Sequence, residues 1–469
     1  MKFLNKSNDI LLIQCPPWDI GMPPLGIAYL SSYLRKYGYR TSVFDLNIVL
    51  YEAVKHDLKY LWEQKSHEWW ISDDLFQKTW LQLKDITNAC LRDVLKRENT
   101  KCIGLSVNST GKYFAMEVIK FIKSIDSKTK IIVGGWGCIT EQMRSLFPRE
   151  LIDVFVLGEG EETLREVLEV FIHQRESRNI LGAIFQKDFE SEYKPRPPIK
   201  NLDEIPWPTF SEFDLHKYKH PVLPLLTSRG CIGRCSFCND WVMMRTYRFR
   251  SAQNILKEIQ YHIEYNHVTA FGFKDLLCNG DISRLQALSA LIINGGIKIN
   301  WDSQAIPRKE MTYELLCQLK NSGCRALIYG IESFSNNVLK KMRKMFTKEI
   351  AERVLEDTHK AGIEIDINII VGFPGETEQD FAETMMAIER NRRYITQIGA
   401  VSICLVNNDC DLELNSQKYG LVLPEDPKIR PTQWHTKDYT NTYEIRTERA
   451  KKILELVHEL KLTYQMSTL

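Results

Sequence analysis

The chain has 469 residues, with 62 Lys and Arg against 60 Asp and Glu, and a net charge of +2. That balance lacks the strong positive excess of a dedicated nucleic-acid binder, so no nucleic-acid partner is expected. A hydrophobic content of 44% and a charged content of 26% are ordinary for a globular protein with several cores. The apolar run 363–373 is interrupted by Glu364 and Asp366 and is too short for a bilayer span, so no membrane partner is expected. The N-terminal MKFLNKSND leads into a strand-like run without a signal-peptide core. Twelve scattered cysteines suit a reducing compartment and metal chemistry better than a disulfide scaffold, which points to the cytoplasm.

Residues 10–14 (ILLIQ) form a short apolar run that stops at Pro16-Pro17. A helical pattern follows over 25–36, and further apolar runs lie at 41–45, 102–107, 130–133 and 153–157, with helical stretches such as 113–125 between them. This alternation predicts a parallel, doubly wound α/β sheet. Ligands of such sheets bind beyond the carboxyl ends of the strands. The strand-end loops here are CPPWDIGMPPLG, SVNSTG, GGWGCIT and GEGEETL. Their glycines allow close backbone approach, and nearby helix N-termini offer N–H donors. Between the second and third strands, 51–99 carries Trp62, Trp69, Trp70 and Trp80 at helical spacing. It reads as a helical layer packed by tryptophans, the alternative being a lid over a ligand. From 172 to 219 the periodicity fades, and the proline-rich KPRPPIKNLDEIPWPTF reads as an extended connector and domain boundary.

The stretch 226–239, LTSRGCIGRCSFCN, follows an apolar run at 222–226. Cys231, Cys235 and Cys238 stand there at C-x3-C-x2-C spacing. Three thiolates on one loop can reach three irons of a cubane cluster and leave the fourth iron open. A structural zinc would want four ligands, and neither His220 nor His262 stands at zinc-ligand spacing. Strands are then expected at 270–273, 298–302, 326–330, 364–371 and 400–405, alternating with helices at 252–265, 284–293, 313–321, 348–361 and 377–390. With the strand before the cysteines, that makes a partial (β/α)6 barrel, whose site lies at the carboxyl ends of the strands. Candidate residues follow from those ends. Asp275 in FKDLL either orients a ligand or caps a helix. Ser303 and Gln304 follow the third strand. Gly330, Glu332 and Ser333 follow the fourth, with Glu332 either receiving a positively charged group of the ligand or pairing with a nearby lysine. Gly372 lies in VGFPGET, where Thr377 caps the next helix. Arg248 and Arg250 either approach the ligand or tie the cysteine loop to the barrel. In the tail, Trp434, His435, Tyr439 and Tyr443 suit a substrate wall or plain packing, and 446–464 reads as a final amphipathic helix.

Phe237, just before the last cysteine, gives C-x3-C-x-Φ-C. This resembles the radical S-adenosylmethionine (SAM) superfamily. With the upstream loops and the F-x-D, G-x-E-S and G-x-P-G-E-T stretches, the chain resembles its cobalamin (B12)-binding-domain-containing members. The resemblance implies an α/β protein with four parts. Residues 1–171 form a Rossmann-like cobalamin-binding domain, 172–219 a connector, 220–406 a radical SAM barrel, and 407–469 a helical C-terminal extension. It implies a [4Fe-4S] cluster on Cys231, Cys235 and Cys238, and SAM against Phe237, Ser303, Gln304, Gly330, Glu332, Ser333 and Gly372. Asp275 stands as the catalytic candidate. Cobalamin would lie against Pro17, Gly21, Ser106, Gly134, Gly135, Trp136, Gly158, Glu159 and Gly160. The implied reaction is reductive cleavage of SAM, hydrogen abstraction from an unactivated carbon, and methyl transfer from methylcobalamin. Alternatives are a cyclisation or ring rearrangement without methyl transfer, or a vestigial cobalamin domain. The implied partners are a small-molecule or natural-product substrate and an electron donor such as flavodoxin or ferredoxin. There are departures. No D-x-H-x-x-G motif is present, Trp136-Gly137 replaces the Pro-His of relatives, and 407–410 replaces a Pro-Gly-Thr turn.

Overall fold

Apolar runs of three to five residues become strands because helices bury them on both faces. In the computed structural model, which describes residues 8–176, 180–189, 193–240, 244 and 246–468, they fall into two compact units, Met1–Pro224 and Leu225–Leu469. The first unit holds β1 (Ile10–Gln14), β2 (Thr41–Asp45), β3 (Cys102–Ser106), β4 (Lys130–Gly134), β5 (Val154–Val156) and β6 (Ala183–Phe185). Their order is β2-β1-β3-β4-β5-β6, parallel except for β6, which is antiparallel to β5. Alternate residues of each strand feed opposite cores. Leu11, Ile13, Leu105 and Val133 pack with Phe114, Trp70 and Phe76, while Ile10, Leu12, Ile132 and Val154 pack with Leu34, Leu164 and Val167. The chain reverses its direction of strand addition between β1 and β3, and at such a point a crevice opens at the carboxyl edge.

The tryptophan-rich insertion is a core layer. Trp70 is 1% exposed, packs edge-on against Trp62 at 5.6 Å, and donates from Nε1 to the Leu61 carbonyl at 2.7 Å. The helix Asp73–Glu98 carries Phe76 and Trp80 into the same cluster. The stretch expected to be a connector belongs to this unit, with two causes. It supplies the edge strand β6, and its charged side chains fold back. Arg196 binds Thr163 Oγ1 at 2.8 Å, Glu212 accepts from Ser31 at 2.7 Å, and Tyr218 donates to the buried Asp45 at 2.7 Å.

The second sheet has the order β17-β14-β13-β12-β11-β10-β7. β7 (Val222–Leu225) is followed by a two-residue antiparallel pair, β8 (Ser228–Arg229) with β9 (Arg248–Phe249). Then come β10 (Ala270–Phe273), β11 (Asn300–Ala305), β12 (Cys324–Glu332), β13 (Glu364–Val371) and β14 (Gln397–Ile403). A second small pair, β15 (Leu421–Val422) and β16 (His435–Thr436), precedes the edge strand β17 (Thr463–Thr468). The pairs from β10 to β14, and β14 with β17, are parallel. Two expectations are corrected here. The last helix ends at Glu459, because Lys461 turns the chain back with φ 55°, and 463–468 then adds a strand to the sheet. Ser303 and Gln304 lie inside β11, not after it. Among the described residues no helix is long and apolar enough to cross a membrane.

If the insertion is core, Trp70→Ala lowers the unfolding free energy of the first unit by about 3–5 kcal/mol. Chemical denaturation followed by tryptophan fluorescence reads this directly; a lid would show almost no loss.

Candidate functional site

The cysteine loop leaves β8 at Gly230, whose φ is 81°. A Cβ there would lie 2.4 Å from the Thr246 carbonyl oxygen, so only glycine makes this turn without a clash. The three cysteines are free thiols, and at Gly233 a single Cβ position lies 3.4 Å from Cys231 Sγ and 3.7 Å from Cys235 Sγ. Ser236 anchors the loop, its N–H donating to the Met342 carbonyl at 3.1 Å and its own carbonyl accepting from Leu412 N at 3.0 Å. Burial pushes all three thiols up, Cys238 to about 12 with the Asp240 carboxylate adding to it. A bound metal offsets that cost by holding the thiolate form. Among the described residues no group of three His, Cys, Asp or Glu converges tightly enough for one metal ion. A cubane asks something different, one thiolate for each of three irons.

Lys344 is the neighbour that the sequence did not single out among its many lysines. Its side chain is 5% exposed, and Nζ donates to the Gly330 carbonyl at 2.9 Å and to Glu332 Oε1 at 3.0 Å. The same ammonium stands 5.5 Å over the Phe237 ring. The charge of Lys344 favours the thiolate forms of Cys231 and Cys235. Glu332 thus pairs with a lysine, with its backbone in the left-handed region at φ 66°. Gly330 is where a Cβ would meet Glu332 Oε1 at 2.9 Å, so the glycine makes room for that carboxylate.

The remaining predicted SAM contacts divide. Gln304 lies on the polar face of the second sheet, which also carries Asp302, Asp366, Asn368 and Ser402. The opposite face is apolar and sealed, with Trp301 stacked on Phe273 at 4.9 Å. Ser303 is on that sealed face, 1% exposed and bonded to the Phe273 carbonyl at 3.3 Å. Ser333 is fully buried and bonded to Thr384 at 3.1 Å and Ser335 N at 3.1 Å. Gly372 is covered by a side chain of the last helix. A Cβ there would lie 2.2 Å from Arg446 Cγ, because the arginine fills the space above it. Arg446 is fully buried, 3.6 Å over the Trp434 ring, and donates to Asn441 Oδ1 and to the Thr432 and Trp434 carbonyls. Arg449 pairs with Glu376 at 2.8 Å, and Glu376 in turn accepts from Gly372 N at 2.6 Å. The last helix therefore braces the VGFPGET turn, and Thr377 caps the next helix in a reciprocal box with Asp380.

Asp275 is 2% exposed and accepts from Thr227 N at 2.7 Å, Ser228 N at 2.8 Å and the Thr227 hydroxyl. Arg284 donates to Thr227 Oγ1 at 2.6 Å and to the Cys278 carbonyl at 2.7 Å. Arg250 reaches the Leu226 carbonyl at 2.9 Å and pairs with the buried Glu258. Asp275 and Arg250 thus hold the strand exit that feeds the cysteine loop.

In the first unit the loops after β1, β3 and β4 are knitted together at one edge. Asn108, which sequence reasoning passed over, donates to the Pro17 carbonyl and accepts from Thr110 N and Gly111 N at 3.0 and 2.6 Å. An Asn opening a Ser-Thr-Gly turn is a recognisable signal for such a bond. Gly135, with φ 99°, lets β4's loop pass under the Val107 carbonyl, 2.5 Å from its Cβ position. Gly21 accepts from His220 N at 3.2 Å, and Ser106 from Cys15 N at 3.1 Å. Two tryptophans stand out from this edge, Trp18 at 39% and Trp136 at 38% exposure. Gly158 is open, with nothing within 4 Å of its Cβ position, and Gly160 begins the next helix. The Glu159 carboxylate accepts from Ile199 N at 2.7 Å.

Removing the Asp275 carboxylate strands two buried N–H groups and leaves the Arg284 charge uncompensated. Asp275→Ala is expected to destabilise the second unit by about 3–5 kcal/mol, and Asp275→Asn by less, measured by urea denaturation of the full chain.

Comparison with known proteins follows the same division. The profile of the radical SAM superfamily matches residues 225–388. The chain is 27% identical over 370 residues to an uncharacterized methyltransferase of Pyrococcus horikoshii, covering 77% of this chain and 72% of that one. Among solved structures it shares the fold of the radical SAM methyltransferase TsrM from Kitasatospora setae, determined with cobalamin and a [4Fe-4S] cluster. The TM-score is 0.68 at 16% identity, over 90% of this chain and 78% of that one. OxsB, a cobalamin-dependent SAM radical enzyme determined with aqua-cobalamin, gives a TM-score of 0.66 at 20% identity, over 88% of this chain and 56% of its own. Residues 225–388 are thus similar to the radical SAM superfamily, and the chain shares the fold of the cobalamin-dependent enzymes TsrM and OxsB.

Proposed function

We propose that this enzyme is a cobalamin-dependent radical SAM methyltransferase acting on an unactivated carbon of a small-molecule substrate in the cytoplasm. The observation that carries this reading is the loop of three free thiols beside the buried Lys344 cation at the carboxyl end of a parallel sheet. The residues present fit the groups. Cys231, Cys235 and Cys238 would hold three irons, and Phe237 would pack at the loop's inner side, where it joins an apolar cluster with Phe373 and Trp434. The polar sheet face carrying Gln304, Asn368 and Ser402 suits a hydrogen-bonding ligand. In the first unit, the open Gly158 and the exposed Trp18 and Trp136 suit a broad, flat one. When bound, the cluster with SAM supplies hydrogen abstraction and cobalamin supplies a transferable methyl group.

The protein's share is positioning and shielding. Gly230 and Ser236 fix where the thiols stand, and Asp275 with Thr227 fixes the strand exit behind them. Lys344 holds a positive charge against the thiolates, which lowers the cost of burying them. Arg446 and Arg449 hold the turn after β13 rigid, and the apolar sheet face keeps water from the other side.

Anaerobic production with cobalamin supplied, followed by desalting, should give iron, sulfide and about one cobalt per chain with a corrinoid spectrum. Methyl-labelled SAM then transfers its label to product. Cobalt without label transfer would turn the reading to cyclisation or rearrangement, and iron without cobalt would remove the methyl-transfer step altogether. Replacing Cys231, Cys235 and Cys238 together by Ala abolishes both iron binding and SAM cleavage.

A further inference from the structure

The cysteine loop is packed against a cationic surface, and we propose that this surface is the docking site for an acidic one-electron carrier protein. The inference rests on the cluster reading, because a cluster that must be reduced needs an electron delivered from outside. The loop residue between Cys235 and Cys238, Ser236, is bonded on two sides. Its N–H and hydroxyl meet the carbonyls of Met342 and Lys341 at 3.1 and 3.2 Å, and its carbonyl meets Leu412 N at 3.0 Å. Two surface segments therefore meet the loop at a residue adjacent to Cys235 and two positions from Cys238. Arg234, Lys340, Lys341, Arg343 and Lys418 are exposed on the loop and these segments.

Asp411 and Glu413 are engaged, at the expense of the Arg343 charge, and Asp409 stays exposed, which leaves Lys340, Lys341 and Lys418 to carry the patch. Asp411 is bound by Arg343 at 2.7 Å and Glu413 by Arg430 at 3.2 Å. Lys341 spends its ammonium on the neutral Gly375 carbonyl at 2.6 Å, so its charge is not cancelled. Leu414, 64% exposed, and Met345, 53% exposed, give the patch apolar points among the charges. For a chain whose total charge is only +2, this concentration next to the thiols is local. Charge complementarity of this kind speeds encounter while leaving the complex weak, which suits a carrier that must leave after one electron. In the step itself the carrier is oxidised by one electron and the cluster reduced by one, with no bond made or broken.

The test uses the full chain with its cluster assembled, and the probe is an acidic flavodoxin in its hydroquinone state. Cluster reduction is followed by stopped-flow absorbance. Lys340→Glu with Lys341→Glu should slow reduction by about tenfold or more at low salt, and raising ionic strength should slow the unaltered chain toward the same rate. Reduced methyl viologen, a small cation, should reduce both proteins without that loss. A control pair, Lys320→Glu with Lys360→Glu, changes net charge equally on the helices that precede β12 and β13 and should leave the flavodoxin rate intact. Should the glutamate pair fail to retain iron, Lys340→Gln with Lys341→Gln decides by the same comparison. Equal flavodoxin rates in all variants, or equal slowing by the control pair, would overturn the docking site. A chain that viologen cannot reduce at all would overturn the cluster reading itself, and the docking site with it.

Discussion

One buried carboxylate organises the second unit. Asp275, at the end of β10, takes two consecutive backbone N–H groups and a hydroxyl from Thr227 and Ser228, the residues that lead out of β7. A strand exit leaves such N–H groups without partners, and burying them unsatisfied would cost about 1–3 kcal/mol each. Arg284 offsets the buried charge from one side, and Arg250 with Glu258 holds the preceding carbonyls from the other. The cysteine loop begins three residues later, so the positions of its thiols inherit the rigidity of this clamp.

The same logic governs the far side of the sheet. The turn after β13 buries Phe373, and the last helix braces its backbone. Arg446 lies across Gly372, and Arg449 satisfies Glu376, whose other contact is the Gly372 N–H. The C-terminal part is thus a structural piece of the sheet, since it also contributes β17. Burying an arginine is expensive, and the planar guanidinium of Arg446 offsets part of that cost by stacking on Trp434 and bonding three acceptors, while its Nε is left without a partner among the described residues.

Much was legible along the chain. The strands β1 to β4, β10 and β13, the cysteine spacing and the capping role of Thr377 follow from local patterns that tertiary packing then reinforced. Strand ends were less legible. β11 extends beyond its apolar run because Asp302 and Gln304 are tolerated on a polar sheet face, and β12 runs on through an irregularity to Glu332. β17 was hidden behind a helical pattern, as the left-handed Lys461 gives no strong sequence signal.

What the sequence by itself determined is the chemistry's raw material. Three thiols at fixed spacing on one loop, glycines where the backbone must turn or pass closely, and two α/β halves are local facts of composition and order. Only the tertiary structure decided how the neighbouring side chains are employed. It gave Glu332 to Lys344, Gly372 to Arg446, Ser333 to Thr384, Glu159 to the Ile199 N–H and Asp275 to the β7 exit. The reason is physical: a buried polar group takes whatever partner the fold brings within reach, and partners dozens of residues away leave no mark in the local sequence.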